Sequence, residues 1–182
     1  KMLTYGISFA IGYKITAVSG STNYIIPGNS TGVTIIQVKN KYDGDYPLVI
    51  NTLGWSAYGI ADGVPKKYPV NMAMITSGAN TVDWYNPLFE AGLQAAFTSG
   101  LAATGFGATA PRFVFDPATD KLIDVYNLAA DDGRARAFHL NTSVTDSRFD
   151  PATKTIYAAY VMTQSGRPEQ LIYDTLSYVG SR

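Results

Sequence analysis

Arg112-Phe113-Val114-Phe115-Asp116-Pro117-Ala118-Thr119-Asp120-Lys121 and Arg148-Phe149-Asp150-Pro151-Ala152-Thr153-Lys154 are two versions of one phrase in a chain of 182 residues. In each, an aromatic strand end runs into Asp-Pro, which suits the first two positions of a type I turn. The carboxylate is then free to accept hydrogen bonds from its own turn's amides. Each copy reads as strand, turn, strand. Around this pair, strand-like runs recur near 46–53, 55–60, 66–76, 79–84, 112–116, 121–127, 135–142, 155–163 and 170–179, the spacing of antiparallel meanders. Eight or nine strands of this kind point to a barrel.

Upstream, Tyr5, Ile7, Phe9, Ile11, Tyr13 and Ile15 alternate with small or polar residues, the period-two signature of a strand with one buried face. Ser19-Gly20-Ser21 and Pro27-Gly28-Asn29 break the chain before a second strand at Val33-Thr34-Ile35-Ile36-Gln37-Val38. Two or three strands are too few for an independent core. Residues 1–39 therefore either pack on the rest of the chain or are the remnant of a larger domain, and the remnant is the favoured reading. The polar, turn-forming Lys39-Asn40-Lys41-Tyr42-Asp43-Gly44-Asp45 puts a boundary near Asn40, and residues 40–182 form the main domain.

One segment departs from the β pattern. Asn86-Pro87 offers a cap and a first-turn proline, and Phe89, Leu93, Ala96 and Phe97 share one helical face. The spacing predicts a helix over 87–98 that ends at Ser99-Gly100 and plugs a barrel end or lies on its wall.

Composition agrees with an all-β protein: 13% aromatic residues, 17 glycines and 9 prolines against only 15% charged residues. Basic and acidic residues number 14 each, so no net field draws in nucleic acid or an anionic membrane. The absence of cysteine excludes disulfides, thiolate metal sites and cysteine nucleophiles. No apolar run reaches the roughly 18 residues of a spanning helix, and Lys1-Met2-Leu3 is not a signal peptide.

Motifs of catalysis find no context. Gly28-Asn29-Ser30-Thr31-Gly32 matches the nucleophile-elbow spacing, but β-branched residues follow where a helix is needed. Gly105-Phe106-Gly107-Ala108-Thr109-Ala110 resembles a dinucleotide fingerprint, but Pro111 and a strand follow it. His139 is the only histidine, which leaves no histidine pair for a metal and one imidazole for any triad. Glu90, Asp116, Asp124, Asp131, Asp132, Asp150 and Glu169 supply carboxylates, several of them in turns, and no calcium-loop spacing appears. Asn29-Ser30-Thr31 and Asn141-Thr142-Ser143 are glycosylation sequons that matter only in a eukaryotic secretory pathway. The expected site contains no catalytic residue, no metal ligand and no cofactor.

The aromatic residues carry the remaining signal. Trp55 with Tyr58, and Trp84 with Tyr85, stand at strand ends beside turns. Exposed rings there would stack on the apolar face of a sugar while polar neighbours take its hydroxyls. The competing reading is that the same rings fill the core or seal its ends.

Ile36-Gln37-Val38-Lys39-Asn40-Lys41-Tyr42-Asp43-Gly44-Asp45-Tyr46, the two Phe-Asp-Pro-Ala-Thr turns, Tyr157-Ala158-Ala159-Tyr160 and the ending Tyr173-Asp174-Thr175-Leu176-Ser177-Tyr178-Val179-Gly180-Ser181-Arg182 together resemble a family. It is that of two-domain surface lipoproteins from Bacteroidetes polysaccharide-utilisation loci, with an immunoglobulin-like N-terminal domain and a lipocalin-like (calycin) C-terminal barrel, both domains of unknown function. The resemblance spans residues 40–182, with 1–39 similar to the last strands of the first domain. It implies a lipoprotein of the cell outer membrane or periplasm, extracytoplasmic, assisting glycan capture beside an outer-membrane transporter. It carries over no catalytic residue. The acylated cysteine is missing here, so these residues make no membrane insertion of their own. The leading expectation is a non-catalytic carbohydrate-binding accessory protein using Trp55, Tyr58, Trp84 and Tyr85. A lipocalin-like binder of a small apolar ligand and a structural or partner-docking module stay open beside it.

Overall fold

The computed structural model describes residues 8–16 and 30–182. The early alternation at Tyr5 and Ile7, and the turns at 19–21 and 27–29, lie outside the described residues. Fifteen strands follow in chain order. The first seven are β1 (Ser8–Lys14), β2 (Thr31–Gln37), β3 (Gly44–Tyr46), β4 (Leu48–Leu53), β5 (Lys66–Lys67), β6 (Met72–Thr76) and β7 (Thr81–Tyr85). Next come β8 (Gln94–Phe97), β9 (Ala103–Phe106), β10 (Pro111–Phe115) and β11 (Leu122–Asn127). The last are β12 (Ala137–Leu140), β13 (Arg148–Asp150), β14 (Thr155–Thr163) and β15 (Gln170–Ser177). All ladders are antiparallel.

Two sheets face each other across an aromatic core. One runs β11-β10-β7-β6-β3; the other runs β12-β14-β15-β4-β5, with β13 also on β14. Their inner faces come from strict alternation: Phe113 and Phe115 on β10, Val82 and Trp84 on β7, and Gln170, Ile172, Asp174 and Leu176 on β15 are all buried. Rings lock the sheets together, with Phe113 edge-on to Tyr160 at 5.5 Å between centroids.

One strand serves both sheets. Residues 44–46 pair with β6, and after Pro47 the same run pairs with β15 as Leu48–Leu53. Asp45 also exchanges backbone bonds with the segment after β15, donating to Gly180 O at 2.9 Å and accepting from Val179 N at 3.0 Å. At the far seam the ring stays open. β11 and β12 lie side by side without a ladder, and the Asn127 side chain substitutes for one: its Nδ2 donates to Ala108 O and Arg136 O, and its Oδ1 accepts from Ala110 N and Ala129 N. The described residues thus form two facing antiparallel sheets, with two smaller two-stranded ones, and not the closed barrel expected from strand count.

Both Asp-Pro turns form as read, joining β10 to β11 and β13 to β14. Asp116 Oδ1 accepts from Ala118 N at 3.0 Å, and Asp150 Oδ1 from Ala152 N at 2.9 Å. Each turn closes on a left-handed residue, Asp120 at φ 58° and Lys154 at φ 51°.

The helix over 87–98 is absent. Asn86 does start a turn, with its Oδ1 accepting from Leu88 N, but Glu90 at φ 51° ends it and Ala91 bonds back to Asn86. The chain then enters β8, whose Gln94, Ala95 and Ala96 are all buried against β9 and the two sheets. A strand sandwiched between layers is apolar on both faces, and over so few residues that pattern is indistinguishable from a helical stripe. The expected strand at 55–60 is also missing; it contains a single 3-10 turn, Ser56–Tyr58.

Among the described residues, β1 and β2 form a separate two-stranded sheet hydrogen-bonded only to each other. Register puts Phe9, Ile11, Tyr13 and Ile36 on one face and Val33 and Ile35 on the other, with Ile11 at 53% and Ile35 at 70% exposure.

The seam on the shared strand leaves no room at Gly44. A Cβ there would stand 2.5 Å from Tyr178 Cε2 and 2.9 Å from Gly180 O. Gly44→Ala is expected to lower stability by about 1–3 kcal/mol, read as a lower urea midpoint with unchanged slope.

Candidate functional site

The four rings expected at a surface site divide between core and half-covered positions. Trp55 is fully covered: Gly54, at φ 81°, turns the chain back after β4, and the indole packs edge-on against Phe106 and donates to Leu171 O at 3.2 Å. Trp84 is an inner-face residue of β7 and donates to Leu93 O at 2.9 Å. Neither indole is an exposed platform; both are framework. Tyr58 is half-buried between Trp55, Phe106 and the Arg167 guanidinium, and Tyr85 is half-buried at the end of β7. The four do not converge on one surface.

The outer face of the six-stranded sheet holds what the sequence reading missed. Tyr157 on β14 stands directly opposite Thr175 on β15, while Tyr173 stands opposite Ala159 and, on its other side, Asn51. The two tyrosines are therefore diagonal neighbours on one face, both half-exposed. β12 and β13 pair with different stretches of β14 and leave Ala158 and Ala159 between them. There the 141–147 loop takes over the hydrogen bonds, Asn141 N donating to Ala159 O and Ala159 N to Ser147 Oγ at 3.1 Å.

Two small alanines beside that loop make a cleft of about 210 Å³, walled by Val144, Asp146 and Ser147 and flanked by Tyr157, Tyr173 and Thr175. Arg148 lies over the Tyr157 ring at 5.1 Å and pairs with Asp146. Beside Tyr173, Asn51 Oδ1 is buried without a hydrogen-bond partner. The cleft thus sets two half-exposed rings beside the polar side chains of Asp146, Ser147 and Thr175. Tyr157, Ala159 and Tyr173 were legible only as strand residues, because their convergence depends on register.

Beneath this face lies a buried polar cluster. The Tyr160 hydroxyl is 2.6 Å from Asp174 Oδ2 and 2.9 Å from Gln94 Oε1. A phenol has one hydrogen. The hydroxyl therefore donates to Asp174 when that carboxylate is ionised, and to Gln94 when a protonated Asp174 donates to it. Burial pushes the Asp174 pKa up to about 7, against the opposing pull of the Tyr160 and Gln94 bonds.

Several other carboxylates have structural duties. Asp116, Asp131 and Asp150 accept amides of their own turns, and Asp83 pairs with Arg112. His139 is exposed on β12 opposite Val161. Ser30 precedes strand β2 where an elbow needs a helix, and Gly105 to Ala110 opens no helix. Asn141 is buried with its Oδ1 accepting from Ser143 N; the sequon at Asn29 lies outside the described residues. Among the described residues no three histidine, cysteine or acidic side chains gather as a metal site, and no helix is long and apolar enough to cross a membrane.

With this geometry in place, the class is an all-β protein of two facing antiparallel sheets. No protein-family model matches the chain, nor does any curated protein or solved structure.

Trp55→Ala and Trp84→Ala are each expected to cost about 3–5 kcal/mol by opening core cavities, measured by chemical denaturation. The folded state holds the Asp174 proton more tightly than the unfolded chain does. This group's contribution is therefore most favourable below about pH 4, where the unfolded carboxyl is protonated too. It declines by a few kcal/mol as pH rises to about 7. Asp174→Asn is expected to flatten that slope in denaturation curves at pH 4 to 8.

Proposed function

We propose that this protein is a non-catalytic accessory that binds carbohydrate at the cell surface, using the outer face of the six-stranded sheet. The observation that carries the reading is the diagonal pair Tyr157 and Tyr173 flanking a cleft with Thr175 and Asp146 at its margin. A pyranose offers one apolar face to a ring and hydroxyls at its rim, and rigid aromatic side chains lose little entropy on engaging it. Tyr157 and Tyr173 take the role first expected of Trp55 and Trp84.

The lipocalin-like ancestry of residues 40–182 is part of this proposal. A first strand that pairs with both its successor and the last strand supports it. The β1–β2 ribbon, apolar on both faces, fits the closing strands of an adjoining sandwich domain. An extracytoplasmic location and a place beside an outer-membrane transporter follow from the resemblance alone. A small apolar ligand held between the sheets has less support, since Trp55, Tyr46, Tyr68, Phe113, Phe138 and Tyr160 fill that space.

A glycan-array screen with Tyr157→Ala and Tyr173→Ala tests the reading. Binding is expected in the wild type, with at least about a tenfold loss in each variant, as for removal of a stacking ring worth roughly 1–3 kcal/mol. Binding that survives both substitutions, or none to any glycan, overturns it.

A further inference from the structure

A second cleft, of about 430 Å³, opens where the 39–43 segment, the β13–β14 turn and the residues after β15 meet. Its charge is uneven although the chain is neutral as a whole. Asp43 is buried and receives two cations: Lys39 Nζ lies 3.1 Å from Oδ1 as an ion pair, and Arg182 Nη2 donates to Oδ2 at 3.2 Å. Thr76 N also donates to Oδ2, at 2.7 Å. Burial alone would raise the Asp43 pKa, but these bonds outweigh it and hold the carboxylate below its usual range.

Lys41 is neutralised by Asp120 at 2.5 Å. Lys154 is not neutralised: among the described residues it makes no ion pair, and its ammonium sits 4.9 Å from the centroid of the Tyr178 ring. The left-handed backbone at Lys154 and the Asp150 turn bonds fix where that side chain starts. The cleft therefore carries one unpaired cation, Lys154, and Lys39, which shares Asp43 with Arg182 and donates to Arg182 O at 3.0 Å, beside the half-exposed Tyr178 ring and the exposed Pro151.

One unpaired ammonium, with Lys39 sharing Asp43 nearby, next to a flat apolar wall calls for a ligand with an oxyanion on a ring of matching size. A bare inorganic anion would leave Tyr178 and Pro151 unused, and a neutral sugar would leave Lys154 without a partner. We propose that this cleft binds a hexuronate, its carboxylate between Lys154 and Lys39 and its ring against Tyr178. This site goes beyond the sheet-face reading and is formed by different side chains.

The test is an amide NMR titration of the full chain at low salt with sodium D-glucuronate, D-glucose and inorganic sulfate in separate arms. Lys154→Gln is run alongside, its fold checked by the same spectra. Glucuronate is expected to shift amides at 39–41, 151–154 and 178, and to bind at least about tenfold more tightly than glucose or sulfate. Lys154→Gln is expected to weaken it by about tenfold, whereas Tyr157→Ala and Tyr173→Ala leave it unchanged. Equal binding of glucose overturns the anion requirement, and equal binding of sulfate overturns the ring. Unchanged glucuronate binding in a folded Lys154→Gln protein, or no binding at all, overturns the site.

Discussion

The strand from Gly44 to Leu53 is the constraint on which the rest of this structure depends. It gives its first residues to one sheet and its remainder to the other, so neither sheet can shift without the other. Pro47 interrupts donation between the two ladders, and Gly44 admits the Tyr178 ring against the backbone. That seam brings the two inner faces together. Tyr42, stacked on Phe115 at 4.1 Å and edge-on to Phe149, closes the same end. At the opposite seam Asn127 shows the alternative, in which one amide side chain satisfies four backbone groups where a ladder would otherwise run.

Inside this frame the core is aromatic but not dry of polar groups. Asp174 occupies an inner-face position on β15 between Ile50 and Ala158, where alternation calls for an apolar residue. Tyr160 links it to Gln94 on the β8–β9 hairpin, its hydroxyl lying within hydrogen-bond distance of both Asp174 Oδ2 and Gln94 Oε1. The bond chain fastens the inserted hairpin to the large sheet, and Trp84 fastens it to the smaller one through Leu93. Buried side-chain hydrogen bonds of this kind favour one arrangement of layers among several that apolar packing alone would tolerate.

The outer surface divides its chemistry around the β13–β14 hairpin. On one side lie the tyrosines and small alanines of the sheet-face cleft; on the other lies the cation-rich cleft with Lys154. Net neutrality in the sequence conceals that segregation, because Lys39 and Arg182 both serve a single buried carboxylate while Lys154 has none.

The sequence by itself determined the all-β character and the two Asp-Pro turns, because turn chemistry and period-two alternation are local. Asp116 and Asp150 bond to amides two residues away, so nothing distant was needed to read them. The β8 strand was not legible: Gln94, Ala95 and Ala96 are all buried, packed against β9 and, through Tyr160, against the large sheet, and that removes the alternation. Only tertiary structure decided which rings face solvent. Trp55 and Trp84 sit beside turns, just as Tyr157 and Tyr173 sit mid-strand, but a backbone reversal at Gly54 and the pleat of β7 send both indoles inward. Register set the two tyrosines side by side. Burial and cross-strand pairing are properties of partners, and a single sequence records the residues without recording which ones meet.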